Sequence, residues 1–330
     1  MRKVRLISVF VVVAMLSGLC AVSAQEKITF KFAHIAPIVH ADHRAAMHFK
    51  AYVESRSNGR VEVSVHPAGQ LGGERAMIEG VQMGMIEMGF FTAAVFTNFI
   101  PQIAVTNLPF IFPDQKTAYR VLDSDIGDRI FSHFPEKGFT ALAWGENGFR
   151  DFSNSKRAIH APGDMVDLKM RSIESPLFLN SYDALGVNAV AIPWPDTFTA
   201  LQQKVVDGAD LPYNSMALAK WLEVQQYVTL SGWIYEPMPV VANTDWFQSL
   251  PEDIQQIIRD GAYELQLTNR ALNAEDRLKT DADAKARGIE VVTLTPGERQ
   301  AFREKMIPVY DAWKEKIGGE LVDMVLEATK

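Results

Sequence analysis

The 330-residue sequence contains a single cysteine, Cys20. It lies in the first 24 residues, which have the three-zone layout of a cleavable secretory signal. A basic start (Arg2, Lys3, Arg5) leads into an apolar run broken by Ser8, Ser17 and Gly18, and Val22-Ser23-Ala24 offers a small-residue cleavage site before Gln25. The mature chain is therefore expected to begin near Gln25 without cysteine, which excludes disulfides, thiolate catalysis and cysteine-ligated metal. Leu19 precedes Cys20 where a lipid-attachment signal takes a smaller residue, so no lipid anchor is expected. After Gln25 no apolar run reaches the roughly 20 residues that a membrane-spanning helix needs. The sequence also has no phosphate-cradling glycine loop, no Gly-x-Ser-x-Gly elbow and no zinc-protease helix motif. Basic charge is in deficit: loss of the three cationic residues takes the formal net charge from −7 to −10, which argues against nucleic acid as a partner.

What is present is an ordinary globular composition, 48% hydrophobic and 22% charged, over about 300 mature residues. That length exceeds what one core fills comfortably, so two domains are the default. Residues 28–34 alternate as a strand does, 43–56 carry Ala46, Phe49 and Val53 at near-helical spacing, and Val61, Val63 and Val65 mark a second strand. A helix over 74–83 and a strand over 86–91 complete a βαβαβ rhythm, which implies an α/β fold with helices on both faces of a sheet. A second set follows: strands over 140–144 and 168–173, a helix over 175–185, a strand over 188–192 and a helix over 196–204. Residues 251–287 place Ile254, Ile257, Ile258, Ala262 and Leu265 on one helical face. They form either one helix of about 55 Å running along both lobes, or two helices broken at Gly261 or Asn273.

Candidate chemistry is sparse. His34, His40, Asp42, His43 and His48 cluster in sequence, but they straddle the loop at 37–42. Asp42 as a helix N-cap among polar histidines is favoured over a metal site. No metal and no cofactor is expected. Forty acidic residues allow many carboxylate pairings, and spacing selects none of them. Arg171 is more informative. It ends a strand in opposite phase to Leu168 and Met170, and in open α/β sheets ligands bind beyond the carboxyl ends of strands. A planar guanidinium there can clamp a carboxylate with two parallel hydrogen bonds, and a surface salt bridge is the competing role. Arg150, after Gly148-Phe149, carries the same two readings.

Several segments occur in the order found in one family: Gly69-Gln70-Leu71-Gly72, Trp144-Gly145-Glu146-Asn147-Gly148-Phe149-Arg150, Leu168-Lys169-Met170-Arg171, Ala200 to Gly208, and Leu222-Glu223-Val224-Gln225-Gln226-Tyr227. From about Lys27 to the C-terminus the chain resembles the DctP-type solute-binding proteins of tripartite ATP-independent periplasmic (TRAP) transporters. The resemblance implies a two-lobed, type II-like periplasmic binding protein, with crossing strands, a long helix spanning both lobes and a cleft that closes by a hinge. Lobe I is expected at 25–148 plus about 237–276, and lobe II at 149–236 plus about 277–330. The resemblance further implies Arg171 as the main carboxylate clamp, Arg150 as a second cationic contact, Trp194 as an aromatic wall, and His34 and Thr92 at the cleft edge. The implied partners are a small carboxylate and integral membrane transporter subunits, without direct lipid insertion.

One departure bears on specificity. Where the family commonly reads Gln-Glu-Asn-Pro, this sequence has Ala209-Asp210-Leu211-Pro212. Leu211 offers no side-chain hydrogen bond where an asparagine would, and Asp210, Tyr213 or Asn214 is left to supply another. This favours a 2-oxo, 2-hydroxy or aromatic monocarboxylate over a C4-dicarboxylate or sugar acid, with Trp194 and Trp233 as apolar walls. Two other functions stand beside the transport receptor: a ligand-binding input protein for a sensor kinase, and an exported hydrolase or lyase. Tyr310 and Trp313 either pack into the second lobe or carry a dimer surface.

Overall fold

The computed structural model describes residues 27–330, so the secretory signal, its cleavage site and Cys20 lie outside the described residues. β1 (Ile28–His34) turns Phe30 and Phe32 inward and Lys31 outward, and pairs in parallel with β2 (Val61–His66) and β3 (Met88–Phe90). The helices Ala41–Arg56 and Glu74–Gln82 are the crossovers. The same plan recurs later in the chain. β5 (Lys169–Ser172) lies between β6 (Asn188–Ala191) and β7 (Gly208–Pro212), again parallel, with helices Pro176–Ala184 and Trp194–Gln202 as crossovers. Two βαβαβ units thus face each other in one mixed sheet of order β2-β1-β3-β8-β4-β7-β5-β6, with β9 (Glu290–Thr293) added beside β8.

Two long antiparallel strands join the units. The sequence suggests only a short strand over 140–144, whereas β4 runs from Phe139 to Asn154 and β8 from Tyr227 to Asn243. β8 pairs with β3 at one end of this ribbon, and β4 pairs with β7 at the other. Glycine and bulges disguise the alternation: the register shifts at Ala141/Ala143, Glu146/Gly148 and Arg150/Phe152, and Gly148 has φ 116°.

The long helix is continuous over Glu252–Ala286. Its 35 residues span about 52 Å, nearly the length of β4 at about 3.3 Å per residue. Gly261 does not break it. A Cβ there would lie 2.9 Å from Val53 and 3.1 Å from Phe49, so this glycine lets helix Ala41–Arg56 pack closely. Asn273 does not break it either, because its Nδ2 donates to the Glu146 carbonyl at 2.8 Å. Gln266 and Asn269 accept from the Trp144 and Glu146 N–H groups, at 2.9 and 2.7 Å. The helix therefore satisfies backbone groups that the bulges of β4 leave without a ladder partner.

One cluster of buried apolar side chains runs from Ala33, Phe91 and Phe96 through Phe152 and Trp233 to Phe178 and Trp313. Trp313 is buried, and Tyr310 packs against the cluster and donates to the Pro109 carbonyl at 2.9 Å. Trp233, expected to wall the cleft, is instead fully buried among Phe152, Phe178 and Tyr182. A bulky indole at the crossing of β8 is excluded from water more completely by the core than by a cleft.

Candidate functional site

A cavity of roughly 600 Å³, counting its open mouth, lies where the two units meet. The ends of β1, β3, β5 and β7 supply its walls, as expected for parallel units whose loops cluster at the carboxyl ends of strands. Arg171, Arg150, Trp194, Leu211 and Thr92 all line it. Trp194 stands at the start of its helix, next to Pro195 at a position where proline fits, with its ring 5.7 Å from that of Trp221.

The two arginines differ sharply. Arg150 is buried in β4, and each of its three nitrogens donates to a protein oxygen: Nε to the Asp210 carboxylate, Nη1 to Glu236, Nη2 to the Asp210 carbonyl. Its guanidinium also lies over the Phe178 ring at 5.2 Å, and Tyr182 donates to the second Asp210 oxygen at 2.9 Å. Arg171 is as deeply buried, yet its one protein hydrogen bond is from Nε to the Ile192 carbonyl, 2.9 Å, and it forms no ion pair among the described residues. Burial first, then the neighbouring charge of Arg150, draws its pKa down to about 10. A buried cation with no counter-ion is the unusual feature of this cavity.

Four expected contacts lie elsewhere. Asp210 sits beneath Arg150 and does not line the cavity, because the cation claims its carboxylate. Asn214 donates to Asn273 at 3.2 Å and lines a separate groove with Phe149, Asp151 and Arg277, since the helix Tyr213–Leu218 turns it toward the long helix. Tyr213 lines that same groove. His34 is fully buried behind the cavity wall, with Nε2 3.1 Å from His43 Nδ1. Burial lowers its pKa to about 4, so it is neutral at pH 7.

Asp42 is not the cap of its helix. The helix begins one residue earlier, at Ala41, and His40 is the N-cap, its Nδ1 3.2 Å from both the N–H and the carboxylate of Asp42. No group of three or more metal-ligating side chains converges among the described residues.

Sequence reasoning missed Glu74, Glu236, Asn147 and Ser215, which also line the cavity. Glu74 opens its helix behind Gly72-Gly73, accepts from the Thr92 N–H at 2.7 Å, and is pushed up to about 8 by burial. A carboxyl after paired glycines at a helix start was the available signal. Nothing local marked the other three. His40, Ser215 and Asn147 form a chain across the cavity: His40 Nε2 lies 2.8 Å from Ser215 Oγ, which donates to Asn147 Oδ1 at 2.7 Å.

With Asp42 beside His40, this chain has the outline of a serine-nucleophile site, but its protons point the wrong way. Burial alone would lower the His40 pKa; Asp42 more than offsets this, and the net shift is upward. Ser215 Oγ donates to Asn147, so His40 Nε2 is set to donate to that hydroxyl, the reverse of what a general base does. The arrangement links residues of the first and second unit across the cavity.

The geometry agrees with the family comparison. The model for the bacterial extracellular solute-binding proteins, family 7 (DctP), matches residues 32–316. The chain belongs to this family. A solute-binding protein of Verminephrobacter eiseniae is 37% identical over 280 residues, 85% of this chain and 83% of the relative. The sugar-acid-binding DctP protein of Advenella mimigardefordensis, solved with galactonate, superposes with a TM-score of 0.89 at 31% identity, covering 92% of this chain and 98% of that one. The TRAP solute-binding protein of Sulfurospirillum deleyianum, solved with succinate, gives 0.87 at 30% identity, covering 92% and 99%. The DctP relatives are two-lobed periplasmic receptors for small organic acids, and this chain is a TRAP-type receptor of that fold. Their ligands range from a sugar acid to a dicarboxylate, so likeness alone does not select one.

Proposed function

We propose that this DctP protein is exported by its N-terminal signal, captures a small monocarboxylic acid on Arg171 in the periplasm, and delivers it to the membrane subunits of a TRAP transporter. The observation that carries this reading is the buried Arg171 without a counter-ion. A ligand carboxylate supplies the missing charge and accepts from the guanidinium nitrogens that face no protein oxygen. Closure of the two lobes then excludes water from that pair, and the membrane subunits recognise the closed form.

Charge and lining favour a monoanion. Arg150 is taken up by its ion pairs with Asp210 and Glu236, whereas Arg171 pairs with neither, so Arg171 is the guanidinium left to meet a ligand carboxylate. A second carboxylate would lie among Glu236, Asp42 and Glu174, which also line the space. Leu211, Ile35, Ile173 and Met238 offer apolar walls and Trp194 an aromatic one, in keeping with a 2-oxo, 2-hydroxy or aromatic acid. The test is a thermal-shift screen of small acids on chain 25–330, stripped of carried-over ligand by unfolding and refolding. Ligand at about 100 times its Kd adds roughly 2.7 kcal/mol of stability. A shift for monocarboxylates that Arg171→Ala abolishes supports the reading. Tighter binding of succinate or glucuronate than of any monocarboxylate overturns the ligand class.

A further inference from the structure

Glu236 lies on β8 opposite Gly148, at the register shift between the two units. It is fully buried, and its two oxygens are in different situations. Oε2 accepts from Arg150 Nη1 and, at 3.4 Å, from Asn147 Nδ2. Oε1 is buried and has no partner among the described residues, although Glu236 lines the cavity. A buried carboxylate oxygen left without a donor costs free energy, and the great majority of such oxygens in folded proteins are satisfied. Here the space beside it is the ligand cavity; burial raises the pKa of Glu236, and the charges of Arg150 and Arg171 oppose that rise.

We infer that Glu236 Oε1 is a specificity determinant that accepts a hydrogen bond from a ligand hydroxyl, so that the receptor selects hydroxy acids over oxo acids of the same skeleton. The inference rests on the reading of Arg171 as the carboxylate clamp and narrows it. With the ligand carboxylate on Arg171, a hydroxyl on the short carbon chain can reach the other charged group of the cavity and donate to it. A keto oxygen has only lone pairs to offer, and set against a carboxylate oxygen it leaves both acceptors unsatisfied. Arg150 holds the carboxylate in place through Oε2, so Oε1 cannot swing away to find a protein donor. Hydrogen bonds to a charged partner contribute about 1.5 to 3 kcal/mol, which corresponds to roughly 10- to 150-fold in Kd.

The test is calorimetric titration of ligand-stripped protein with matched pairs: lactate and pyruvate, 2-hydroxyisovalerate and 2-oxoisovalerate, pantoate and its 2-oxo counterpart. The hydroxy member of each pair is expected to bind at least about 10-fold tighter. Glu236→Gln, which keeps an oxygen for Arg150 and turns an amide donor to the cavity, is expected to erase or invert that preference. Acid binding that disappears in Arg171→Ala but shows equal affinity for both members, or favours the oxo acid, overturns the inference and leaves the clamp standing. Acid binding that survives Arg171→Ala overturns the clamp and this inference with it. If Glu236→Gln fails to fold, the paired affinities of the unaltered protein still decide the matter.

Discussion

Replacing each arginine by methionine should move stability in opposite directions. Arg171 is buried without a counter-ion, and its pKa of about 10 against an ordinary 12.5 measures how poorly the empty site tolerates its charge. At about 1.4 kcal/mol per unit, that shift corresponds to roughly 3 kcal/mol of unfavourable burial, an upper bound because a cleft that opens rehydrates the group. Arg171→Met keeps the length and apolar stem of the side chain and removes the charge, so the ligand-free protein should become more stable, by up to about 3 kcal/mol. Binding should weaken by about 2 to 5 kcal/mol, or roughly 30- to 5,000-fold in Kd. Arg150→Met strands Asp210 and Glu236 as buried carboxylates and should cost about 3 to 5 kcal/mol. Urea denaturation of the three ligand-free proteins, with calorimetric titration of the acid that shifts wild type most, reads both effects. Equal destabilisation by the two substitutions, or an Arg171→Met protein that binds within a few-fold of wild type, refutes the division of roles.

Other expectations follow from the same geometry. Glu74 titrates near 4.5 in an open chain and about 8 in the fold, so the native state binds more protons between those values and stability falls as pH rises through them. Asp151, pushed up to about 7 by burial, acts in the same direction, whereas neutral His34 opposes it only below 6.5. Ligand-free stability should therefore fall between pH 6.5 and 8, by up to about 1.4 kcal/mol per pH unit for Glu74, and Glu74→Gln should flatten that slope in denaturation curves taken across the range. Gly261→Val should destabilise by about 1 to 3 kcal/mol, because its Cβ would lie within 2.9 Å of Val53; an unchanged urea midpoint would show that the two helices can part without cost. Leu211→Asn adds an amide to the cavity wall and should shift relative affinity toward polyhydroxylated acids such as galactonate by about 10-fold, the size of one neutral hydrogen bond, in parallel titrations.

The legible parts of the sequence were those carried by local pattern. β1, both crossover helices of the first unit and the strand ending in Arg171 follow from alternation and helical spacing within single segments. β4 was legible only in its first residues. Glu146, Asn147, Arg150 and Asp151 are polar, and they are buried by partners more than 60 residues away in sequence for Arg150 and Glu236, or on the long helix for Glu146. No local pattern announces such pairings. The choice between one long helix and two was open for a similar reason, since Gly261 weakens a helix locally and is retained for the approach of Val53 and Phe49. Arg150 and Arg171 carry the same two readings in sequence, carboxylate clamp or surface salt bridge, although only Arg171 stands at an expected strand end. What separates them is Glu236 and Asp210, and neither could be assigned to one arginine by spacing. Asn214 and His34 were misplaced because adjacency to a cleft-lining residue does not fix which way a side chain turns: Leu211 and Ser215 face the cavity, and Asn214 between them faces the long helix.

That division of the arginines bears on how ligand and closure are coupled. Arg150, Asp210, Glu236 and Tyr182 tie β4, β7 and β8 together at the ribbon joining the two units, and this set finds its hydrogen-bond partners within the protein. Arg171 stands on β5, outside the ribbon, anchored by the Ile192 carbonyl and without an ion-pair partner among the described residues. Closing the cavity around it without ligand removes water from a cation and returns nothing. Closing around a carboxylate exchanges that water for a charge-assisted pair in a less polar medium, where the pair is stronger. The His40, Ser215 and Asn147 chain crosses the cavity without a ligand, so it carries no information on whether the cavity is filled. Under the proposed clamp the discrimination falls to Arg171: the ligand would supply the counter-charge that makes closure favourable, and a transporter that engages only closed receptors would thereby engage loaded ones.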